Sequence, residues 1–274
     1  MRTDPLDQLL ALAERVALAA GEALLDGLAH ERLTIDTKST ATDLVTEIDR
    51  ASERLIVESL LEVRPEDGVL GEEGTDIAGT SGVTWVIDPL DGTTNYVYGH
   101  PGFSVSIAAV VDGEPVVGVV VDPLHDDTFS ARRGGGARRN AAPIRCATTT
   151  ELAHTLVATG FSYRPEQRHD QAVVLAALIA RIRDVRRMGG AAVDLCSAAC
   201  GRVDAYYESG LQPWDMAAGT VIAREAGARV GGLDTDDPSA DFLVAAPPNL
   251  FGPLVELLLG SGARAGDSPR RGAG

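Results

Sequence analysis

The chain has 274 residues, of which 45% are hydrophobic and 23% charged, a composition typical of a globular protein that can bury a full core without disulfides or structural zinc. Aspartate and glutamate total 40 against 24 lysines and arginines, which gives a formal net charge of −16. Such a surface repels phosphate backbones, so direct binding to nucleic acid or to an anionic membrane is disfavoured, whereas sites that gather divalent cations are compatible with it.

The cysteines and the N-terminus both indicate a cytoplasmic protein. Cys146, Cys196 and Cys200 form no CxxC motif and are predicted to be buried free thiols. The N-terminal sequence MRTDPLDQLL carries acidic residues where a signal peptide would be basic and then apolar. No window offers about 18 consecutive apolar residues, so no membrane-spanning helix is expected.

Residues 1–150 are predicted to form a helix pair followed by antiparallel strands. Apolar residues recur at helical spacing in two segments, and runs rich in Val and Ile follow them. An Asp112-Gly113 pair between two such runs predicts a hairpin. The predicted helices are 4–28 and 43–63, and the predicted strands lie within 83–88, 103–121 and 127–133.

Residues 151–260 are predicted to form an α/β half, because strands and helices alternate along them. The predicted strands are 156–160, 184–188, 204–208 and 242–246, and the predicted helices are 167–182, 191–200, 214–226 and 248–259. Residues 261–274 are rich in Gly, Ser, Arg and Pro without a period, and we expect a disordered tail there.

Short acidic segments are the candidate chemical groups of this chain. They are DLVTEID (43–49), GEEG (71–74), IDPLDGTTN (87–95) and PWDMAAG (213–219). In the third segment a strand delivers Asp88 and Asp91 beside a helix start, an arrangement that suits a hard cation and a phosphate. A turn followed by a helix cap explains the same residues. Taken alone, Glu72 and Glu73 are more typical of a solvated turn, and Asp215 is more typical of a helix cap.

Taken together, these segments resemble the inositol monophosphatase family of magnesium-dependent, lithium-sensitive phosphatases. The matching stretches are DLVTEID, GEEG, WVIDPLDGTTNYVYGHP (85–101) and RRMGGAAVDLCSAACGRVDAYYESGLQPWDMAAG (186–219), in the family's order. The resemblance extends over about residues 5–260. It implies an α/β (α+β) layered sandwich of the sugar-phosphatase type, with alternating helix pairs and mixed sheets, assembled as a homodimer.

The resemblance also implies the reaction. The expected activity is magnesium-dependent hydrolysis of a small polyol phosphate monoester, with inositol monophosphate as the first choice. The alternatives are fructose 1,6-bisphosphate, histidinol phosphate or another sugar phosphate as substrate. A non-enzymatic alternative is a partner role in a transcription complex, as some family members have.

Individual residues receive roles from the resemblance alone. The implied metal ligands are Glu72, Asp88, the carbonyl of Leu90, Asp91 and Asp215, with Asp88 shared by two magnesium ions and a weaker third ion near Glu72. The implied catalytic residues, which act on the attacking water, are Asp49, Thr93 and Lys38. The implied substrate contacts are the backbone N–H groups of Gly92 and Thr93 for the phosphate, and Asp91, Ala191, Glu208 and Asp215 for the hydroxyl groups.

Lys38 stands out because it is the only lysine among 24 basic residues. A compact ammonium differs in shape from a guanidinium fork, so a role that needs this shape is favoured over chance on a loop. The chain departs from the family at Gly190, where many members carry Ser or Thr before the alanine pair. His100 is predicted to be a loop residue, and the basic cluster Arg132–Arg139 is predicted to be a solvated turn in preference to an anion site.

Overall fold

The computed structural model describes residues 4–30, 35–37 and 44–265. Within these ranges the helices are α1 (Pro5–His30), α2 (Glu47–Val63), α3 (Thr93–Tyr98), α4 (Pro165–Leu178), α5 (Ala191–Ala199), α6 (Pro213–Glu225) and α7 (Pro248–Gly260). The strands are β1 (Ile35–Thr37), β2 (Leu44–Thr46), β3 (Gly68–Gly71), β4 (Asp76–Ile77), β5 (Val83–Asp91), β6 (Ser104–Val111), β7 (Glu114–Asp122), β8 (Asp127–Arg132), β9 (Gly136–Arg139), β10 (Ala142–Pro143), β11 (Leu156–Thr159), β12 (Asp184–Arg186), β13 (Ala205–Glu208), β14 (Arg229–Gly231) and β15 (Leu243–Ala246).

An eight-stranded sheet forms the first half of the chain, in the order β10-β9-β8-β7-β6-β5-β3-β4. Neighbouring strands of this sheet pair antiparallel, except β3 and β5, which pair parallel. The predicted hairpin between β6 and β7 is confirmed, since Asp112 and Gly113 both have positive φ angles of 53° and 81°, as a tight two-residue turn requires. Helices α1 and α2 cover one face of this sheet, where Trp85 and Ile87 of β5 are fully buried.

A five-stranded mixed sheet forms the second half, in the order β12-β11-β13-β15-β14. Strand β11 pairs parallel with β12 and β13, and β15 pairs antiparallel with β13 and β14. Helices α4 and α7 contribute Leu178 and Leu254 to the apolar cluster on its outer face. The chain therefore folds as the predicted layered α/β structure with mixed sheets.

Helices α5 and α6 lie between the two sheets. All nine residues of α5 are buried, and most of them are small. A Cβ atom at Gly118 of β7 would lie 2.3 Å from the carbonyl oxygen of Ala218, so the backbone of α6 contacts the eight-stranded sheet directly. Small side chains thus let the helices approach the sheets closely. All three cysteines are free, but only Cys196 is fully buried, whereas Cys146 and Cys200 are half-buried.

The start of the second helix differs from the prediction. Residues 44–46 form β2, which pairs antiparallel with β1, and α2 begins at Glu47 instead of residue 43. Leu44, Val45 and Thr46 suit a strand as well as a helix, since two of them are β-branched. Two of the four arginines in the basic cluster form ion pairs, because Arg132 binds Asp7 and Arg139 lies 2.5 Å from Asp127.

No helix in the described part of the chain is long and apolar enough to cross a membrane. At the C-terminal end, Ala263 is 6% exposed and packs in the outer apolar cluster. Residues 266–274 lie outside the described ranges, and a disordered tail stays a prediction for them.

Deleting residues 266–274 is expected to leave the melting temperature (Tm) and activity unchanged, because these residues lack the apolar groups that would compensate for ordering. Deleting residues 261–274 should instead lower the Tm by a few degrees. This longer deletion removes the buried Ala263 and its N–H bond to the Leu258 carbonyl. Calorimetry on both truncations measures the difference, and an equal Tm for the two would contradict it.

Candidate active site

The end of β5 delivers two buried carboxyl groups to one edge of the eight-stranded sheet. Asp88 lies opposite Ser106 of β6 and Asp91 lies opposite Ser104, so β5 has one extra residue between them. The strand therefore continues to Asp91 through a bulge, rather than ending at Asp88 as predicted. Gly92 follows with φ 84°, and α3 begins at Thr93.

Gly92 fits where a larger residue would not. Its φ lies in the left-handed region, and a Cβ atom there would stand 2.6 Å from the carbonyl oxygen of Gly102. The predicted strand-to-helix turn at this position is therefore present, and it requires glycine.

Asp91 connects the two halves of the molecule. Its Oδ1 accepts a hydrogen bond from Ala191 N–H (3.2 Å) and its Oδ2 accepts one from Ala192 N–H (2.8 Å) at the start of α5. Burial raises the pKa of Asp91 to about 6, although these N–H groups act in the opposite direction. A Cβ atom at Gly190 would lie 2.8 Å from Oδ2, so the absence of a side chain there leaves room for this carboxylate.

Three further acidic side chains surround Asp91. Burial, followed by the charges of Glu72, Asp91 and Asp215, raises the pKa of Asp88 well above its ordinary value. Burial and then the charge of Glu72 do the same to Asp215 in the first turn of α6. The carboxyl groups of three separate sequence segments therefore lie within electrostatic reach of one another.

Asp215 also has the helix-capping role that the sequence left open. Its Oδ2 accepts a hydrogen bond from Gln212 N–H (2.6 Å), and the two residues form a capping box at the start of α6. Asp88 likewise accepts a bond from Leu90 N–H (3.0 Å). Across the described ranges, no group of three or more His, Cys, Asp and Glu side chains is already arranged to hold a metal ion.

The predicted residues meet in one cleft of about 110 Å³ at the junction of the two sheets. Those that line it are Glu72, Asp88, Leu90, Asp91, Gly92, Thr93, Ala191, Glu208 and Asp215. Asp49 lies just beneath, fully buried, with its Oδ1 3.5 Å from the hydroxyl of Thr93. Lys38 lies outside the described residues.

Glu208 lies at the end of β13 and also lines the cleft. Its Oε2 accepts a hydrogen bond from the Tyr206 hydroxyl (2.7 Å). Burial raises the pKa of Glu208 to about 7, while Tyr206 and Arg187 act against the shift. A Cβ atom at Gly160 would overlap the Glu208 carboxylate at 2.0 Å, so any side chain there would displace this carboxylate.

Sequence reasoning missed part of the cleft wall. Gly160, Tyr163 and Arg187 line the cleft but received no role. Arg187 belongs to the RRMGG run that the resemblance already included, and it places a basic group near Glu208. His100 is an exposed loop residue, as predicted.

Comparison with known proteins agrees with this geometry. The model of the inositol monophosphatase family matches residues 5–257. The inositol-1-monophosphatase SuhB of Mycobacterium tuberculosis is 48% identical over 235 residues, which are 82% of this chain and 81% of the relative. The Nus factor SuhB of Xylella fastidiosa is 40% identical over 267 residues, covering 94% of this chain and 96% of the relative.

A solved structure extends the likeness to the fold. The extragenic suppressor protein suhB of Bartonella henselae superimposes with a TM-score of 0.86 at 34% identity, covering 92% of this chain and 98% of that one. The chain therefore belongs to the inositol monophosphatase family. This membership supports a phosphatase activity.

Proposed function

We propose that this protein hydrolyses a phosphate monoester of a small polyol with the help of Mg²⁺, and that inositol monophosphate is such a substrate. The observation that carries the proposal is the convergence of Glu72, Asp88, Asp91 and Asp215 in a cleft that Glu208 also lines. Grouped carboxyl groups with raised pKa values are costly to ionise together unless cations bind among them.

The donor set fits a hard cation. Mg²⁺ prefers carboxylate and carbonyl oxygens and retains several water molecules. Glu72, Asp88 and the carbonyl of Leu90 would hold one ion, and Asp88, Asp91 and Asp215 a second, with a weaker third ion near Glu72. Bound cations would offset the charge of the phosphate and make the attacking water easier to deprotonate.

Asp49 and Thr93 would orient that water. The Thr93 hydroxyl lies 3.2 Å from the carbonyl of Leu90 and 3.5 Å from Asp49 Oδ1. When it donates to either acceptor, its oxygen lone pairs are left to accept a hydrogen bond from water. Because Asp49 is fully buried, its charge favours this orientation more than it would in solvent. Lys38, outside the described residues, is proposed to contact water in the same site.

The remaining residues would bind the substrate. Backbone N–H groups of Gly92 and Thr93, at the start of α3, would donate hydrogen bonds to a phosphate oxygen, and positioning dominates such a transfer. Asp91, Ala191, Glu208 and Asp215 would accept or donate hydrogen bonds to the hydroxyl groups of the alcohol.

A phosphate-release panel tests the proposal. Inositol monophosphates, fructose 1,6-bisphosphate, histidinol phosphate and 3′-phosphoadenosine 5′-phosphate would be compared with Mg²⁺ and with a chelator. Release that depends on Mg²⁺ and is fastest on an inositol monophosphate is expected, with inhibition by millimolar Li⁺. Equal release with and without metal, or none on any substrate, would contradict it.

A second candidate is a role in a transcription complex. It is favoured by the match to the Nus factor SuhB of Xylella fastidiosa along 94% of this chain. The net charge of −16 disfavours direct contact with nucleic acid, so such a role would require a protein partner. An Asp91→Asn variant that loses phosphatase activity but keeps a transcription phenotype would separate the two functions.

Changing Glu208 to glutamine is expected to affect substrate choice. Loss of a charge-assisted hydrogen bond to a polyol hydroxyl should lower kcat/KM for inositol monophosphate. The expected decrease corresponds to about 1–3 kcal/mol of transition-state stabilisation. An aryl phosphate, which has no such hydroxyl, should be hydrolysed as before. Kinetics on both substrates measure the effect.

Glu225→Gln is the matched control for this variant. Glu225 accepts hydrogen bonds from the N–H groups of Gly134 and Gly136 (both 2.8 Å), as Glu208 accepts one from Tyr206, but Glu225 does not line the cleft. Equal losses on the two substrates in Glu208→Gln would place Glu208 in the metal site or in the fold. Unchanged kinetics on both would remove it from substrate binding.

A further inference from the structure

The loop that carries Glu72 is a short turn between β3 and β4. It is closed by a hydrogen bond from Gly71 N–H to the Thr75 carbonyl (2.7 Å). A bond from Glu72 N–H to the Ile87 carbonyl (3.2 Å) fixes its start against β5. Strand β4 has only two residues, so the ladder itself holds the far side of this turn weakly.

A buried carboxylate from α2 holds that far side. Glu53 is 4% exposed, and its Oε2 accepts a hydrogen bond from Glu73 N–H (2.7 Å). Its Oε1 accepts bonds from Thr75 N–H (3.1 Å) and from the Thr75 hydroxyl (2.6 Å). Both carboxylate oxygens of Glu53 therefore accept hydrogen bonds from residues that follow Glu72 in the loop.

The approach of Glu53 depends on a glycine. A Cβ atom at Gly71 would lie 2.5 Å from Glu53 Oε2, too close for any side chain with this carboxylate in place. A charged group is costly to bury unless several donors satisfy it. Here the donors belong to the loop that carries the proposed metal ligand Glu72.

The neighbouring side chains of α2 point to the same edge of the sheet. The Ser52 hydroxyl donates to the carbonyl of Pro89 (3.0 Å), and Asp49 lies beside Thr93. The first turns of α2 therefore contact both acidic segments, GEEG and IDPLDGTTN. Glu53 supplies the contact to the first of them.

We propose that Glu53 is a positioning residue that orients the Glu72 loop for divalent-cation binding. This inference rests on the proposed function, because it takes Glu72 as a ligand. Residues that hydrogen-bond to the segments carrying metal ligands affect affinity without touching the ion. Glu53 would thus act on cation binding through the loop and not on the phosphate.

Direct binding of Mn²⁺, followed by electron paramagnetic resonance, tests the inference on the full chain. Glu53→Gln keeps the size of the side chain but replaces one acceptor by an NH₂ group that cannot accept from an N–H donor. The Mn²⁺ dissociation constant is expected to rise by roughly 10–100-fold. At saturating metal, KM for substrate should stay close to that of the wild type.

Asp67→Asn is the matched control. Asp67 is a buried carboxylate at the other end of β3, where it accepts hydrogen bonds from the Ser81 hydroxyl (2.6 Å) and Trp85 Nε1 (2.9 Å). Its loss should lower the Tm but leave the Mn²⁺ dissociation constant unchanged. Equal weakening by both variants would show a general loss of stability and overturn the inference.

A double-mutant cycle separates Glu53 from direct effects on Glu72. Gly71→Ala should weaken Mn²⁺ binding about tenfold, because the new methyl group displaces the Glu53 carboxylate. In a Glu53→Ala background, Gly71→Ala should weaken Mn²⁺ binding little further, because the space beside Gly71 that the Glu53 carboxylate occupied is then open. A further tenfold loss of Mn²⁺ affinity in the double variant would show that Gly71→Ala acts on Glu72 directly, and it would contradict the positioning role of Glu53.

The outcomes also distinguish this inference from the proposed function. If the wild type binds no Mn²⁺ and releases no phosphate, both fail. If the wild type binds Mn²⁺ and folded Glu53→Gln binds it within twofold of the same affinity, the proposed function stands and Glu53 is only structural.

Discussion

Replacing Asp91 by asparagine is expected to lower turnover by about 10²–10³-fold, the scale of losing one preorganised electrostatic group. Asp91 is proposed to bind a cation and to face the substrate, and its two oxygens already accept bonds from the N-terminus of α5. Asparagine has the same size but lacks the charge. Steady-state kinetics over a range of Mg²⁺ concentrations measure the effect.

The fold should survive this change, because the apolar clusters around β5 are untouched. Circular dichroism spectra and Tm values of Asp91→Asn and the wild type would test whether the fold is kept. Asp122→Asn is the matched control, since Asp122 is a buried carboxylate that contacts His125 outside the cleft (2.7 Å from Oδ2 to Nδ1). Asp122→Asn should keep its kcat. Activity of Asp91→Asn within tenfold of the wild type at saturating Mg²⁺ would remove Asp91 from the metal site.

The metal-free protein is expected to lose stability as pH rises from 5 to 7.5. A carboxyl group whose pKa is higher in the folded than in the unfolded state stabilises the fold at low pH, and this stability is lost as pH rises through the folded pKa. Above pH 5 the folded state keeps a proton that the unfolded chain has lost, over roughly one pH unit for Asp91, whose pKa is about 6, and over roughly two for Glu208, whose pKa is about 7. At 1.36 kcal/mol per pH unit, the two groups together lower the free energy of unfolding by about 4 kcal/mol over this interval.

Other titrating groups do not reverse this trend. The pKa values of Asp88, Asp194 and Asp215 are also raised, first of all by burial, and they act in the same direction. Burial alone would raise the pKa of Asp127, but ion pairs with Arg139 and Arg202 hold it below its ordinary value. The stability that Asp127 provides is therefore lost only at more acidic pH.

Calorimetry in a chelating buffer checks the pH dependence. A decrease in Tm of roughly 10 °C between pH 5 and 7.5 is expected. Saturating Mg²⁺ at pH 7.5 should reverse most of it, because an ion that binds only the folded state stabilises that state. Glu208→Gln should show a smaller decrease than the wild type. A Tm that stays constant or rises over this interval without metal would contradict the raised pKa values.

Much of the fold was predictable because its elements carry strong local patterns. Strand β5, the β6–β7 hairpin and helices α5 to α7 have clear periodicity and are flanked by Gly, Pro or Asp residues. Strands β4, β10 and β14 have two or three residues each and lack a pattern long enough to detect. The start of α2 was misplaced because residues 44–46 satisfy helical and extended patterns equally, and pairing with β1 decides between them.

The candidate site followed from motif resemblance more than from physical patterns. Asp88 and Asp91 could be suspected from the strand-to-helix turn, but the proximity of Asp215 depends on packing between distant elements. Gly160 had no local signal. It follows Thr159, which pairs with Tyr207, so it faces Glu208 only because β11 and β13 are parallel neighbours in this register.

The position of the cleft between the two sheets has an evolutionary consequence. Three of the four grouped carboxyl groups come from the first half of the chain, whereas Gly160, Ala191 and Glu208 come from the second. Substitutions that reshape the proposed alcohol-binding side could therefore accumulate in residues 151–260 while the proposed metal-binding carboxyl groups of the first half are inherited unchanged. Chimeras that exchange this segment between related chains, keeping Asp215, would transfer preference for the alcohol without rebuilding the chemistry.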